Sequence, residues 1–386
     1  MIPSYRIVFY VSGHGFGHTS RSIAVISALL RARPDARVVV KTSAPLQLFA
    51  RVLQGQCELI ELQCDAGMVQ IDSLNIDTRE SIRRARDFQS RLPAIVDAEA
   101  AYLRHTGAHV VVGDIPPLAA GAAQSAGIPS VLIGNFTWDW IYEGYRENGI
   151  GDLPHEIRAM YQRATIVLRL PMAGGFAGLE HVTRDIPFVA RHSSRTQDEV
   201  RRALGLPSRA DGKPLVLMSF GGYGLAGLDT AAVAHLTDYT IATTDSPSAN
   251  NPIRPDCGLL YISEKHVHDS GLRYEDLVRG ADVVVTKPGY GIISEAIANR
   301  AALLYTSRGH FVEYDVLVRE MPRYLRTQFI AQNDLLKGNW SDALATLLRQ
   351  PPPPETAQTD GADIATAEIL RQGTTNHQPP TRSVRT

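Results

Sequence analysis

The sequence predicts an α/β protein made of two Rossmann-like domains facing each other across a cleft. Three observations carry that expectation. Short apolar runs alternate with helical patterns along most of the chain, as in the βαβ units of a parallel sheet. A glycine turn directly after an apolar strand opens both halves, at Gly13-His14-Gly15-Phe16-Gly17-His18 and at Gly221-Gly222-Tyr223-Gly224. A third turn of this kind, Lys287-Pro288-Gly289-Tyr290-Gly291, runs into a helix containing Ser294 and Glu295. A buried parallel strand, a glycine turn and a helix N-terminus direct unpaired backbone N–H groups at an anion.

In the first half, residues 7–11, 37–40, 59–62, 110–112, 130–133 and 166–168 read as strands, with an apolar helical period at 23–30. The polar stretch 191–214 carries one helix, at 197–204, closed by Gly205 and Pro207, and reads as the hinge. A second α/β series follows, with strands at 215–220, 239–243, 259–262, 283–285 and 302–305 and a helical period at 228–236. The four prolines at 351–354 cannot continue a helix. The polar tail after them is expected to be disordered despite a short helical pattern at 363–370. The expected domains are therefore 1–195 and 196–350, with a disordered tail at 351–386.

Bulk properties narrow the class. A chain of 386 residues has room for two or three domains with cores of their own. With 44% hydrophobic and 20% charged residues it reads as an ordinary soluble globular protein. A net charge of −1 and no long basic run leave out the electrostatic footprint of a nucleic-acid binder. Cys57, Cys64 and Cys257 have neither metal-ligand spacing nor a disulfide framework, which fits a reduced, cytoplasmic setting. Met1-Ile2-Pro3 leads into a strand with no signal-peptide pattern, and no apolar run approaches the ~20 residues of a membrane span.

The first turn is a poor nicotinamide site. A dinucleotide fingerprint wants glycine where His18 stands, and an acid where the next strand ends in Lys41-Thr42-Ser43. A histidine at the top of a first strand suits a general base for a hydroxyl, although His14 or His18 bonding across the turn would explain it as well. Gly222-x-Gly224-x-x-Gly227, with Asp245 about 20 residues on, matches the dinucleotide pattern literally, but the pattern alone is weak. The third turn favours a diphosphate instead, with Glu295 able to accept from two ribose hydroxyls; a helix-start acid favoured by the macrodipole is the plainer reading. Polar residues in Arg308-Gly309-His310-Phe311-Val312-Glu313-Tyr314-Asp315 either hold sugar hydroxyls or form a solvated loop. Asn135-Phe136-Thr137-Trp138-Asp139-Trp140 reads as a carbohydrate contact surface, with core packing of the tryptophans an equal alternative.

Four motifs in order point to a family. The Gly13–His18 turn, Gly113-Asp114-Ile115-Pro116-Pro117, Asn135-Phe136-Thr137-Trp138-Asp139-Trp140-Ile141-Tyr142 and Lys287-Pro288-Gly289-Tyr290-Gly291-Ile292-Ile293-Ser294-Glu295 resemble the N-terminal region of plant L-arabinokinases. Stand-alone bacterial glycosyltransferase-like proteins look similar. The resemblance covers residues 5–348, and nothing here matches the sugar-kinase half of the plant proteins. More distantly, the layout is similar to the UDP-N-acetylglucosamine transferase of peptidoglycan synthesis. In that comparison His18 falls on the histidine after the glycine loop, Arg191 on a phosphate-contacting arginine and Glu295 on the ribose-binding glutamate. Lys287-Pro288 departs from that enzyme's motif. Its glutamine pair near the sugar is absent, with Glu313 the nearest candidate.

The resemblance implies a GT-B glycosyltransferase that moves a sugar from a nucleotide-diphosphate donor, UDP-linked, to a hydroxyl acceptor. His18 would be the base, with Asp139 in the catalytic set. Donor binding would use Gly15, Gly17, Arg191, Gly221, Gly222, Lys287, Gly289, Gly291, Ser294, Glu295 and Glu313. His14, Asp114, Asn135 and Trp138 would contact the acceptor. No Asp-x-Asp pair calls for a metal, and no cofactor is expected. The partners would be the nucleotide sugar and its acceptor, with no nucleic acid; a lipid-linked acceptor would add peripheral membrane contact. A nucleotide-sugar epimerase or hydrolase, a non-catalytic nucleotide-sugar binder and an NAD-dependent oxidoreductase are the alternatives.

Overall fold

The computed structural model describes residues 5–146, 149–210, 212–221, 224–244 and 259–375. The chain forms two compact units. The first takes residues up to 69, then 77–189, and the chain from 358 onward; the second takes 70–76 and 190–357.

In the first unit β1 (Arg6–Val11), β2 (Arg37–Thr42) and β3 (Cys57–Glu61) are laid down outward on one side. A short two-stranded ladder, β4 (Val69–Gln70) with β5 (Ile76–Asp77), interrupts the series. The chain then returns to the other side of β1 with β6 (Val110–Asp114), β7 (Ser130–Phe136), β8 (Ile166–Gly174) and β9 (Thr183–Asp185). The sheet order is β3-β2-β1-β6-β7-β8-β9, parallel throughout. Ile7, Val8, Val110, Val111 and Val131 are wholly buried, as expected of parallel strands covered on both faces. Between β1 and β6 the order of winding reverses, and such a point opens a crevice beyond the carboxyl ends of the strands. Val11 is level with Asp114 there, each the last residue of its strand.

The tail expected to be disordered is in part a wall of this unit. Helix Gly361–Thr375 packs on helix Phe16–Ala32 and buries Ala365, Thr366 and Ile369. Asp360 bridges antiparallel to Val189, and the Tyr5 hydroxyl donates to the Leu370 carbonyl at 3.2 Å. Small side chains let the helix approach closely: a Cβ on Gly361 would lie 2.3 Å from the Pro187 carbonyl oxygen. Low hydrophobicity in this segment reflects tight packing by small residues. Residues 376–386 lie outside the described set.

The second unit repeats the topology with β10 (Leu215–Ser219), β11 (Thr240–Thr243), β12 (Leu259–Tyr261), β13 (Val283–Thr286), β14 (Ala302–Tyr305) and β15 (Thr327–Phe329). Their order is β12-β11-β10-β13-β14-β15, again parallel with the reversal beside the first strand. Val216, Met218, Val283, Val285, Leu304, Trp340 and Leu344 share its core. The stretch expected as a hinge belongs to this unit. Helix Gln197–Ala203 starts at a Thr196–Glu199 capping box, and buried Arg201 donates to Asp282 Oδ2 at 2.6 Å. Asp282 Oδ2 also accepts the Leu215 N–H at the start of β10, so the segment is tied to the sheet. After the excursion at 70–76, the chain enters the second unit between Val189 and Ala190 and returns to the first between Ala357 and Gln358.

Candidate active site

Two clusters of candidate side chains stand at the two reversal points. In the first unit, Gly15 has φ +71°, a left-handed conformation that favours glycine, and caps the helix Phe16–Ala32. Gly17 lies in the first turn of that helix. The His14 amide donates to Ser12 Oγ at 3.2 Å, its Nδ1 accepts from the Met68 amide at 3.2 Å, and its ring meets Trp138 edge-on.

His18 follows one residue into the helix and is 6% exposed. Its Nδ1 lies 2.9 Å from Asp114 Oδ1. Phe136 and Trp138 flank the ring, with centroids at 5.6 and 6.5 Å. Arg21 and Ser22, three and four residues on, share the helix face with His18. Arg21 donates from Nε to Asp114 Oδ2 at 2.9 Å and from Nη2 to Oδ1 at 2.5 Å; Ser22 Oγ donates to Oδ2 at 3.0 Å. Burial pushes the Asp114 carboxyl up, but the charge and hydrogen bonds of Arg21 and the contact with His18 outweigh it and hold it at about 2. The carboxylate therefore stays ionised and orients the imidazole, the arrangement by which an acid fixes a histidine base.

The cluster rearranges several expectations. Asp114, expected against the acceptor, stands behind His18 with both oxygens engaged. Asn135 and Trp138 are buried: Asn135 Oδ1 accepts from Arg21 Nη1 at 3.0 Å, and Trp138 Nε1 donates to Asp65 Oδ2 at 2.9 Å. Asp139 does not join His18; it is buried in the helix Trp138–Glu143 and pairs with Arg158 at 2.8 Å. Arg21, Ser22 and Asp65 were missed by sequence reasoning. For Arg21 and Ser22 the i+3 and i+4 spacing from His18 was the available signal; Asp65 had none, lying in the irregular segment after β3. Burial raises the Asp65 carboxyl, against hydrogen bonds from Ser12 and Trp138 and the nearby His18.

In the second unit, β10 ends at Ser219 and β13 at Thr286, whose Oγ1 donates to the Ser219 carbonyl at 2.6 Å. Half-buried Lys287 follows, then Gly289, which precedes helix Tyr290–Asn299. The helix has no side-chain cap, so its first N–H groups depend on something outside it. Gly289 has extended backbone (φ −153°), and a Cβ there would meet nothing within 4 Å. Neither conformation nor packing requires glycine; its effect is to leave the space before the helix start clear. Gly291 lies in the first turn, and Ser294 Oγ donates back to its carbonyl at 3.0 Å.

Glu295 is the sixth residue of this helix and 3% exposed, not a helix-start acid at the surface. Arg191 reaches it from the beginning of the unit, with Nη2 at 2.6 Å from Oε1, and lies 3.3 Å from Glu275 Oε2. Burial works against the Arg191 charge, but the two carboxylates hold its guanidinium above the ordinary value; burial also raises Glu275. Asn299 ties down the segment 191–193, donating to the Arg191 carbonyl at 3.0 Å and accepting the Ser193 amide at 2.9 Å. Gly221, just after β10, has φ +75°. Glu313 is buried at the start of helix Glu313–Glu320. Gly222 and Asp245 lie outside the described residues. Among the described residues, no group of three or more His, Cys, Asp or Glu is arranged to hold a metal ion, and no helix is long and apolar enough to cross a membrane.

No family model matches the chain. It is similar to the L-arabinokinase of Arabidopsis thaliana at 29% identity over 376 residues, 94% of this chain and 34% of that protein. It is also similar to an uncharacterised glycosyltransferase of Methanopyrus kandleri at 28% identity over 242 residues, 58% of this chain and 63% of the other. The chain thus spans about a third of the plant relative. Among solved structures, Acinetobacter baumannii MurG superposes with a TM-score of 0.55 at 13% identity, covering 95% of this chain and 99% of that one. A UDP-glucosyltransferase from Polygonum tinctorium gives 0.57 at 15% identity, covering 96% and 94%. With a Rossmann-like sheet in each unit, these likenesses establish the GT-B fold.

Proposed function

We propose that this GT-B chain transfers a sugar from a UDP-linked donor to a hydroxyl acceptor, with His18 as general base. The observation that carries the reading is the buried His18–Asp114 pair at the first reversal point. Asp114 engages Nδ1, which leaves Nε2 to take the acceptor proton. The acceptor oxygen bonds to the anomeric carbon as the bond to the diphosphate oxygen breaks, and UDP leaves with the electron pair. Backbone N–H groups at the start of helix Tyr290–Asn299 and the Lys287 ammonium would meet the charge developing on the diphosphate. Glu295, held by Arg191, would take the ribose hydroxyls. No step requires a metal ion. The names of the Methanopyrus and Polygonum proteins favour glycosyl transfer and a UDP donor. Kinase activity is not carried over from a relative of which this chain spans a third.

Thermal shift with UDP, ADP and NAD is the first test, because a ligand of the native state raises its apparent stability. UDP is expected to raise Tm most. A panel of UDP-sugars with hydroxyl acceptors should then release UDP in step with acceptor consumption. Binding of NAD without binding of uridine nucleotides would overturn the proposal, and UDP release that needs no acceptor would replace transfer with hydrolysis.

A further inference from the structure

A neutral imidazole carries one ring hydrogen, and only the nitrogen without it can accept a proton. Two groups compete for Nδ1 of His18: Asp114 Oδ1 lies at 2.9 Å and Arg21 Nη2 at 3.1 Å. The charge on Asp114 decides the contest. An ionised carboxylate can only accept, so Nδ1 carries the hydrogen and Nε2 is left basic. A protonated carboxyl can donate to Nδ1; the ring hydrogen then sits on Nε2, which can no longer act as a base.

We propose that Arg21 is a positioning residue that selects the tautomer of His18 by keeping Asp114 ionised, an inference that rests on His18 being the base. Asp114 is 3% exposed, where the loss of water works against its charge. Arg21, equally buried, supplies the opposing charge through a two-pronged contact with both carboxylate oxygens. Its Nη1 bond to Asn135 fixes the plane of the guanidinium. With His18 and Ser22 added, each oxygen of Asp114 receives two contacts, so the carboxylate has no other orientation to adopt. Among the described residues, the Asp65 carboxyl, after β3, also senses Asp114 and His18. The charge on Asp114 disfavours a second one at Asp65, whose carboxyl is raised, so the Arg21 cation is spent on Asp114. Around the ring itself, Phe136 and Trp138 are uncharged.

The test is nuclear magnetic resonance of the ring nitrogens in the full chain labelled with ¹⁵N-histidine, with His18 assigned by its loss in His18→Gln. Wild type at neutral pH should carry hydrogen on Nδ1. Arg21→Met should move it to Nε2 and return it to Nδ1 as rising pH ionises Asp114. Arg21→Lys restores the charge without the fork and should keep the wild-type tautomer. If Arg21→Met does not fold, Arg21→Gln removes the charge while retaining a donor and is read the same way. Hydrogen on Nε2 in wild type, or on Nδ1 at neutral pH in the uncharged variant, overturns the proposal. Once a donor and acceptor are identified, the acid limb of kcat should move to higher pH in Arg21→Met and not in Arg21→Lys. The ring signals need no substrate, so the expected tautomers without any sugar transfer would refute the functional reading alone. Transfer with an unaltered tautomer in Arg21→Met would refute this inference alone.

Discussion

Arg191 places two donors, Nε at 2.7 Å and Nη2 at 2.6 Å, on the same oxygen of Glu295. A carboxylate gripped in this way keeps one orientation, and a guanidinium shared between Glu295 and Glu275 is not a loose ligand waiting for phosphate. The resemblance to the peptidoglycan enzyme gave the two residues separate tasks; here one holds the other.

That contact sets the expected result for Glu295→Gln. Donor affinity should fall by ~1.5–3 kcal/mol, the range for hydrogen bonds to a charged group. Stability should fall too, by roughly 1–3 kcal/mol, because the largely covered Arg191 loses a charged partner. Calorimetry with UDP and urea unfolding measure the two effects separately. Unchanged UDP affinity in the folded variant would remove Glu295 from the donor site.

His18→Ala should damage chemistry and spare donor binding. Loss of a positioned base lowers kcat by ~10²–10⁴-fold. The Tm increase given by UDP should match wild type. A variant that turns over normally would exclude His18 as the base.

Asp114 predicts a pH dependence of stability. Its carboxyl is depressed from an ordinary 3.8 to about 2 in the folded protein. A depressed acid contributes stability above its unfolded pKa and loses it as pH falls through the folded one, here between about pH 4 and 2. The contribution is about 2 kcal/mol at neutral pH. Urea midpoints measured across that window should fall less steeply in Asp114→Asn than in wild type; equal slopes would contradict the assignment.

Gly289→Ala separates fold from ligand. Its backbone is extended and the space around it open, so stability should change by no more than ~0.5 kcal/mol. A methyl group in front of the helix start should nevertheless reduce the Tm increase given by UDP. An undiminished increase would place the diphosphate elsewhere.

Much of the fold was legible because buried parallel strands are continuous apolar runs bounded by glycine turns. Residues 302–305 were located without error, and β1, β10 and β13 within a residue at either end. The glycine turns and the acids were legible as residues, but the partners of the acids were not. Asp114 ends one apolar strand and Asp139 follows another, and nothing local distinguishes an acid facing His18 from one facing Arg158. Asp65 lies 47 positions from His18, and Trp138 meets it only in the folded unit. Burial of Asn135 and Trp138 is likewise a tertiary fact, invisible to a motif that reads equally well as a sugar platform. The helical pattern at 363–370 was visible, but the packing of helix Gly361–Thr375 was not, because Ala365 and Thr366 pack without raising hydrophobicity.

That last helix has a consequence for how the protein is made. The segment covering the His18 helix is synthesised after the whole second unit, and the Tyr5–Leu370 bond joins positions 365 residues apart. On the ribosome the first unit emerges with the outer side of helix Phe16–Ala32 bare, and it stays bare while residues 190–357 are added. Contacts so distant in sequence are formed late and slowly. A nascent chain stalled within the second unit would therefore present an unfinished first unit to chaperones, with the helix that carries His18 still uncovered.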